Sequence, residues 1–427
     1  MIEIYDYNKI SKEKLSYIKK RSGQDIEEVK EKVDRIIKYV KNYGDEALQR
    51  YTEVFDNVKL KSFRVTKSEI QKAWQKIDPE TVKQIKKQIK YSKKFHKKQI
   101  QKNKKFELEK GIILGEKYTP IESVGLYVPG GRAAYPTVLQ ILAVPALIAK
   151  VPRIVVCSPP NKEGGIAESV LVCADILGIS EIYKIGGAQA ISALAYGTKS
   201  IKPVKKVVGP GNIYVSCAKM LLFGKINIDM LAGPSEVLII ADSYAKPSFI
   251  AADILARCEH DPDASAVLLT DSEIIAKKVK KEIEKQIINL KRQNIIKKSL
   301  KKYSAIIVIN NWKKIIDFSN DYAAEHLEII VRKPWNILSK IKNAGSIFLG
   351  DYSPVAAGDY ASGTNHVLPT GQLAKMFSSV GVETFVKKSE FQYITKNGLK
   401  KLYPIVKELS KVEGLDGHYN SFKVRLK

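Results

Sequence analysis

The feature that most constrains the fold is a repeated alternation of short β-rich runs with helical segments, which begins near residue 121. Each run ends in Gly or Pro, and a helical stretch separates it from the next run. Parallel strands need crossover connections of this kind, so the alternation predicts a mostly parallel sheet flanked by helices. The clearest runs, within about 125–235, are ESVGLYVPGG, RIVVCSPP followed by AESVLVCADILG, and EIYKIGG followed by AQAISALAYG.

The alternation starts again near residue 236 and predicts a second α/β unit over about 236–380. Its strand-like runs are SEVLIIAD, SAVLLTD, SAIIVIN and NAGSIFLGD. Apolar residues at three- and four-residue spacing predict an amphipathic helix over 26–44. Basic helices are expected over 79–105, with His96 on the packed face, and over 272–300.

The net charge of +27 suggests, taken alone, a nucleic acid or an anionic surface as partner. The distribution of the charge argues against that partner. Residues 81–105 hold eleven Lys and no acid, whereas residues 111–270 carry 14 bases against 13 acids. The excess therefore lies on peripheral helices, which are usually solvated faces, and we expect no nucleic-acid partner.

Four cysteines form no CxxC pair, and their spacing suits neither a zinc finger nor a disulfide framework. Reduced thiols in core positions favour a cytoplasmic protein. No run of 18 apolar residues occurs, so we expect no membrane partner. The first residues lack the apolar segment of a secretory signal.

Gly-rich turns follow several predicted strands, where ligands of open parallel sheets bind. They are YVPGGR at 127–132, IGGAQA at 185–190, VGPGN at 208–212 and AGPSE at 232–236. Such turns let a backbone approach phosphates. Neither GxGxxG nor the P-loop pattern occurs, so a dinucleotide site and plain turn geometry both remain open.

Histidine is rare, and four of the five histidines lie in polar, turn-like contexts: His260, His326, His366 and His418. Three of these have an acidic residue within two positions. A His beside an acid is usually structural, but a set of His, carboxylate and His would suit zinc, and a His with a Glu could act as a general base. HExxH and GxSxG are absent, which disfavours a zincin protease and an α/β-hydrolase.

Eight motifs occur in an order that resembles the histidinol dehydrogenase family. They are VGLYVPGGR, IGGAQAISALAYGT, VGPGN, IDMLAGPSEVLIIAD, EHDPDA, AAEHLE, AGSIFLGDYSPVAAGDYASGTNHVLPT and VEGLDGHYNS. The resemblance extends from about residue 20 to residue 425, and YASGTNHVLPT together with AGPSEV is highly specific.

The resemblance implies an α/β fold with two Rossmann-like domains, mostly parallel sheets, small helical N- and C-terminal extensions, and an intertwined homodimer. The expected divisions are an N-terminal extension at 1–21, a discontinuous first α/β domain at 22–124 and 236–380, a second, NAD-contacting domain at 125–235, and a helical appendage at 381–427 that reaches the partner subunit. It also implies oxidation of L-histidinol, through the aldehyde, to L-histidine, with two NAD⁺ and one zinc ion per subunit.

The resemblance assigns a role to most of the motif residues. His326 is the expected general base, and Glu325 activates the water that hydrates the aldehyde. The expected zinc ligands are His260, Asp359 and His418; the expected NAD contacts are Tyr127, Gln189 and Asn212; the expected substrate contacts are Ser235, Arg257, His260, Glu325, His326, Asp359, Glu413 and His418. His418 and Glu413 are expected to act in trans, and His366 to shape its loop.

One departure from the family pattern concerns the metal. Arg257 stands where the resemblance implies a Gln ligand, and a guanidinium has no lone pair to donate to a metal. The ligand set could shrink, or the metal could be lost.

Three other functions compete with histidinol oxidation. The same fold could oxidise a different small alcohol with NAD, because Arg257 could pair with an anionic substrate group. A basic nucleic-acid-binding protein is supported only by net charge. A thiol-dependent aldehyde dehydrogenase would use Cys258 as the nucleophile.

Overall fold

The computed structural model describes residues 1–21, 26–130, 134–231 and 233–427. Parts of two predicted glycine turns, YVPGGR and AGPSE, and the start of the predicted domain at residue 22 lie outside the described residues. Among the described residues, no helix is both long enough and apolar enough to cross a membrane.

The described strands and helices follow one another along the whole chain. The strands are β1 (Ile4–Asp6), β2 (Lys104–Glu109), β3 (Ile112–Pro120), β4 (Ser123–Tyr127), β5 (Arg153–Ser158), β6 (Glu181–Lys184), β7 (Lys206–Val208), β8 (Asn227–Ile228), β9 (Glu236–Ala241), β10 (Ser265–Thr270), β11 (Ala305–Val308), β12 (His326–Ile330), β13 (Ser346–Leu349) and β14 (Val386–Ile394). The helices are α1 (Lys12–Lys20), α2 (Ile26–Tyr43), α3 (Asp45–Asp56), α4 (Lys67–Lys76), α5 (Pro79–His96), α6 (Pro136–Ile148), α7 (Glu168–Ile176), α8 (Gly187–Tyr196), α9 (Ile213–Leu222), α10 (Pro247–Cys258), α11 (Glu273–Gln286), α12 (Gln293–Lys302), α13 (Trp312–Tyr322), α14 (Pro334–Leu338), α15 (Val355–Tyr360), α16 (Lys396–Val412) and α17 (Asp416–Leu426).

Two parallel sheets form the body of the protein, as the β-rich runs predict. One has six strands in the order β1-β11-β10-β9-β12-β13, and the other has five in the order β6-β5-β4-β7-β8. Neighbouring strands in both sheets are parallel. Apolar side chains cover both faces of each sheet, which is why the strands read as continuous apolar runs. The α/β fold class is confirmed.

The helices between residues 26 and 96 pack differently from the predicted grouping of 22–124 with 236–380. The apolar face of α2, including Val33 and Val40, packs with α8 and α9 on one face of the five-stranded sheet. Ile85 and Ile89 of α5 pack against the opposite face. The β-rich rhythm of the sequence starts only near residue 121, so it could not indicate which sheet these earlier helices cover.

Both terminal extensions contain strands, although the resemblance implied helical extensions. β1 pairs in parallel with β11 and forms one edge of the six-stranded sheet. β14 pairs antiparallel with β3, which also pairs with β2, in a separate three-stranded sheet. β14 is mostly exposed, so its sequence lacks the buried apolar run that marks a strand.

The helix predictions are right for α2, wrong for the end of the helix expected over 79–105, and wrong for 272–300. The α5 helix ends at His96, and strand β2 begins at Lys104. The α2 helix ends at Tyr43, before Gly44 with φ of +52°, where the sequence predicted its end. His96 is buried, as expected. The basic segment breaks at a short turn over Ile287–Asn289 into α11 and α12.

Candidate active site

The amino ends of two neighbouring strands, β9 and β12, bring Glu236, Glu325 and His326 together. β9 begins at Glu236 and β12 begins at His326, and His326 is paired in register with Val237. Glu325 directly precedes β12. Ser235 directly precedes β9, and its carbonyl oxygen accepts a hydrogen bond from the Ser265 backbone, 3.1 Å away. The cluster therefore lies at the edge opposite to the carboxyl ends that general α/β reasoning favours.

His326 is almost fully buried, at 2% exposure, and its two ring nitrogens face different groups. Nδ1 lies 3.1 Å from the carbonyl oxygen of Glu236 and 3.3 Å from Glu325 Oε2. Nε2 lies 3.6 Å from Asp359 Oδ1 and has no hydrogen-bond partner among the described residues. Burial and the charge of Arg257 lower the pKa of His326, but the neighbouring carboxylates outweigh them and raise it to about 9.

Glu325 and Glu236 hold each other through the backbone. The Glu236 amide donates to Glu325 Oε2 at 2.8 Å, and the Glu325 amide donates to Glu236 Oε1 at 3.0 Å. Burial favours the protonated form of Glu325, but His326 and Arg257 lower its pKa. Burial raises the pKa of Glu236 to about 7, with Arg21 opposing the rise.

Arg21, at the end of α1, supplies the counter-charge to Glu236. Its Nη2 donates to Glu236 Oε1 at 2.8 Å and to the Tyr322 carbonyl oxygen at 2.7 Å. The guanidinium carbon also lies 3.4 Å from the centre of the Tyr322 ring. The side chains of Arg21 and Glu236 are each 2% exposed. The ion pair between Arg21 and Glu236 therefore holds in place the carboxylate that accepts a hydrogen bond from the Glu325 amide.

Asp359, on α15, lies between two basic groups. Its Oδ1 faces His326, and its Oδ2 lies 3.6 Å from Nη2 of Arg257, on the last turn of α10. Burial opposes ionisation of Asp359, yet His326 and Arg257 lower its pKa to about 2. The start of α15 is tied to the sheet, because the Val355 amide donates to Glu328 Oε1 at 3.0 Å. Both oxygens of Asp359 therefore face positively charged or protonatable partners.

His260 and His366 lie close enough to the cluster to interact electrostatically with Asp359, Glu325 and His326. His260 follows α10 and is exposed; partial desolvation and then Arg257 lower its pKa. His366 is half-buried, and burial lowers its pKa. Its Nδ1 has no hydrogen-bond partner among the described residues.

Glu413, directly after α16, and His418, in α17, are exposed. Within the described part of this single chain, no hydrogen bond or ion pair joins their side chains to the His326 cluster.

A cavity of about 1160 Å³ opens at the carboxyl ends of the five-stranded sheet and contains the three predicted NAD contacts, Tyr127, Gln189 and Asn212. The Tyr127 hydroxyl oxygen accepts from the Gly187 amide at 3.0 Å, and burial raises the pKa of Tyr127 to about 12. The Asn212 side chain caps α9. Gln189 is buried, and its Oε1 has no hydrogen-bond partner among the described residues.

Two further acids line this cavity, Asp56 at the end of α3 and Asp261 beside His260. Burial raises the pKa of Asp56 to about 6, and its Oδ2 has no hydrogen-bond partner within the described residues. Asp261 lines the cavity, and the preceding His260 interacts electrostatically with Asp359 and His326, so the turn after α10 lies between the cavity and the His326 cluster.

Comparison with known proteins identifies the family. The family model described as histidinol dehydrogenase matches residues 19–426. The chain belongs to the histidinol dehydrogenase family. The histidinol dehydrogenase of Methanocaldococcus jannaschii is 48% identical to this chain over 419 residues, 98% of this chain and 97% of the relative. That of Methanothermobacter thermautotrophicus is 46% identical over 423 residues, 99% of this chain and 98% of the relative.

A solved histidinol dehydrogenase shares the whole fold. The crystal structure of the enzyme from Elizabethkingia anophelis matches with a TM-score of 0.96 and 38% sequence identity. The match covers 100% of this chain and 98% of that one.

Sequence reasoning missed Arg21, Glu236, Asp56 and Glu328. Glu236 and Glu328 each lie inside an apolar β-run, SEVLIIAD and HLEII, where a charged residue is rarely buried without a partner. That contrast was a usable signal for both acids. Arg21 and Asp56 gave no such signal, because each lies at a helix end that the sequence could not place against the site.

Proposed function

We propose that this chain oxidises L-histidinol through L-histidinaldehyde to L-histidine, with two NAD⁺ per substrate. Membership of the histidinol dehydrogenase family supports the proposal. The single observation that carries it is the buried cluster of His326, Glu325 and Asp359, where an imidazole with a free ring nitrogen lies between two carboxylates.

His326 is the proposed general base of the first oxidation. Its Nδ1 donates to the Glu236 carbonyl oxygen, which leaves Nε2 as the atom that accepts the proton of the substrate hydroxyl. Its raised pKa favours the protonated ring, so Nε2 must first release a proton. A cationic substrate amine beside Asp359 would offset that carboxylate and favour this release.

Glu325 is the proposed base of the second oxidation. Its ionised carboxylate takes a proton from water as the water adds to the aldehyde carbon. Hydrogen bonds and charge around it keep Glu325 ionised in a buried position. Ser235 directly precedes Glu236, the hydrogen-bond partner of Glu325, and is a proposed substrate contact.

The cavity fits a dinucleotide, since it combines a buried tyrosine, a helix N-terminus, and oxygens of Gln189 and Asp56 that have no hydrogen-bond partner within the described part of the chain. NAD⁺ would supply the hydride acceptor for both oxidations. Tyr127, Gln189 and Asn212 are the proposed contacts, and the Asp56 carboxylate is positioned to accept from a ribose hydroxyl.

The residues present do not fit the zinc ion that the resemblance implies. Among the described residues His260 and Asp359 lie near the cluster, and His418 would come from a second subunit in the proposed homodimer. Both Asp359 oxygens already face Arg257 or His326, so Asp359 is not free to bind a metal. At 4 Å and an effective dielectric of about 20, each unit of like charge costs roughly 4 kcal/mol, so Arg257 strongly opposes a divalent ion.

We further propose a homodimer in which Glu413 and His418 reach the partner's site. Their exposure at the C-terminal helices, away from the cluster of their own chain, supports this arrangement. The cytoplasm is the proposed compartment, consistent with four free buried cysteines.

A second candidate is the oxidation of another small alcohol with an anionic group. The observation that favours it is the buried guanidinium of Arg257 beside Asp359. A panel of alcohols assayed with NAD⁺ separates the two candidates, since an anionic alcohol turned over faster than L-histidinol would support the second one.

The test of the first candidate is the conversion of L-histidinol with NAD⁺, which should yield two NADH and one L-histidine per substrate. His326→Gln should slow alcohol oxidation by roughly 10²–10⁴. Glu325→Gln should impair oxidation of supplied histidinaldehyde more than oxidation of the alcohol. A His326→Gln enzyme with near-normal alcohol oxidation, or equal losses of both half-reactions in Glu325→Gln, would contradict these roles.

A further inference from the structure

We infer that Arg257 takes the place of a divalent cation at Asp359, so that this site binds its substrate without a metal ion. The guanidinium is the donor to an acceptor atom of the substrate, and Asp359 is the acceptor for a cationic substrate group. The identity of the substrate rests on the proposed function; the exchange of a metal for Arg257 rests on the geometry of the chain.

The placement of Arg257 is the first support. Its side chain is 5% exposed, and it extends from the last turn of α10 to within 3.6 Å of Asp359 Oδ2. A buried cation at this distance neutralises the carboxylate, which is the electrostatic role a bound metal would have. A divalent ion at the same oxygen would have to displace the guanidinium or accept its repulsion.

The unused donors of Arg257 are the second support. At 3.6 Å the contact with Asp359 is an ion pair and too long for a hydrogen bond. Nε is buried and has no hydrogen-bond partner among the described residues. A guanidinium has five N–H donors in a fixed fork, so Arg257 keeps donors available for a ligand.

The substrate chemistry suits a donor and an acceptor side by side. A neutral imidazole offers a lone pair that Arg257 can meet with a hydrogen bond, and an ammonium group offers protons to Asp359. Both contacts would hold the substrate while the carbinol remains free to face His326 Nε2. A metal would instead need the amine in its neutral form, because only a lone pair can bind a metal.

Zinc titration of the full-length chain tests the exchange directly. After dialysis against EDTA and removal of the chelator, ZnCl₂ is titrated by calorimetry into the unaltered protein, Arg257→Gln, Arg257→Lys and Arg292→Gln. Arg292 is an exposed arginine whose Nη2 lies 3.4 Å from the His260 carbonyl oxygen, so its variant controls for loss of a nearby charge. We expect Arg257→Gln to bind zinc at least roughly 100-fold more tightly than the other three proteins.

Turnover in the presence of EDTA gives the second readout. The unaltered enzyme should keep its rate of L-histidinol oxidation in EDTA and gain nothing from added zinc. Arg257→Gln should show a KM raised by roughly tenfold or more without zinc, because the substrate loses a charged donor. When zinc is supplied, the rate of L-histidinol oxidation by Arg257→Gln should fall on addition of EDTA.

Several results would overturn the inference. One is stoichiometric zinc in the unaltered protein, with activity that EDTA removes and added zinc restores. This measurement needs only the unaltered protein, so it decides the question even if Arg257→Gln does not fold. Another is equal zinc affinity in the unaltered protein and Arg257→Gln. If no protein oxidises L-histidinol under any condition, the proposed function fails, while the zinc titration still decides the role of Arg257.

Discussion

At the residue scale, the site is a chain of buried charged groups in which two adjacent acids, Glu236 and Glu325, lie between the basic groups of Arg21 and His326. Arg21 neutralises Glu236, Glu236 holds Glu325 through the backbone, and Glu325 contacts His326. Asp359 and Arg257 continue the chain beyond His326. Burying any one of these charges alone would cost several kcal/mol, so each persists because its neighbours offset it.

Asp56 gives a prediction in which one substitution raises the free energy of unfolding and weakens the binding of NAD⁺. Its pKa is raised from 3.8 to about 6, so the folded state holds the proton more tightly than the unfolded state does. The contribution of Asp56 to the free energy of unfolding therefore falls as pH rises from about 4 to 6 and stays lower above pH 6. Asp56→Asn removes this loss, and we expect it to be more stable than the unaltered protein by roughly 1–2 kcal/mol at pH 7, with little difference at pH 4.

Urea unfolding at both pH values measures this difference, with the exposed Asp317→Asn as the control. The same Asp56 variant should bind NAD⁺ roughly tenfold more weakly in a calorimetric titration, because a charged acceptor is lost. Equal stability gains at pH 4 and pH 7 would contradict the burial argument. Unchanged NAD⁺ affinity would remove Asp56 from the cofactor site.

At the scale of elements, the two halves of the site lie at opposite ends of the strands. The predicted NAD contacts lie at the carboxyl ends of β4, β6 and β7, whereas Glu236 and His326 begin β9 and β12. The turn after α10 connects the two halves, with His260 and Asp261 adjacent in it. One group of residues lies at carboxyl ends and the other at amino ends. The rule that ligands bind at the carboxyl ends of parallel strands therefore predicts only the NAD contacts.

The end of α1 gives a prediction on how one element supports another. Arg21→Met leaves the Glu236 carboxylate buried beside Glu325, and we expect a loss of about 3–5 kcal/mol in the free energy of unfolding. Arg21→Met combined with Glu236→Gln should recover part of that loss, since the uncompensated charge is gone. Arg153→Met is the matched control: its pair with Glu181 is partly exposed, at 26% and 21%, so a smaller loss is expected.

Denaturant unfolding of the four proteins measures these losses. If Arg21→Met costs no more than Arg153→Met, the Arg21–Glu236 pair is not the buried support that the geometry indicates.

At the scale of the whole molecule, the C-terminal helices α16 and α17 are largely exposed. Ile405, Leu409 and Val412 on α16 are exposed, and α16 packs mainly with α17 and β14. Exposed apolar side chains on a peripheral helix pair are typical of a surface that another subunit covers. This is consistent with the proposed homodimer and with the exposed positions of Glu413 and His418.

Mixed dimers test whether the site is completed in trans. His326→Gln and His418→Ala should each be nearly inactive, and mixing them should restore a fraction of the activity, because a hybrid dimer contains one site with neither change. Subunit exchange is verified separately with differently tagged chains. Removal of residues 396–427 should abolish activity and leave the unfolding transition of the α/β body in place. Proven exchange without recovery would place the whole site within one chain.

The sequence by itself determined the parallel α/β fold, the helix over 26–43 and the family, because apolar periodicity and contiguous motifs are local signals. Tertiary structure alone decided that α2 and α5 cover the five-stranded sheet, and that β14 pairs with β3. It also decided that Arg21, which lies 215 positions from Glu236 in the sequence, neutralises it beside Glu325. Contacts between distant segments depend on how whole elements dock, and a local pattern carries no record of that docking. For the same reason, Arg257 could be recognised as an unusual residue from the sequence, whereas its ion pair with Asp359 required the fold.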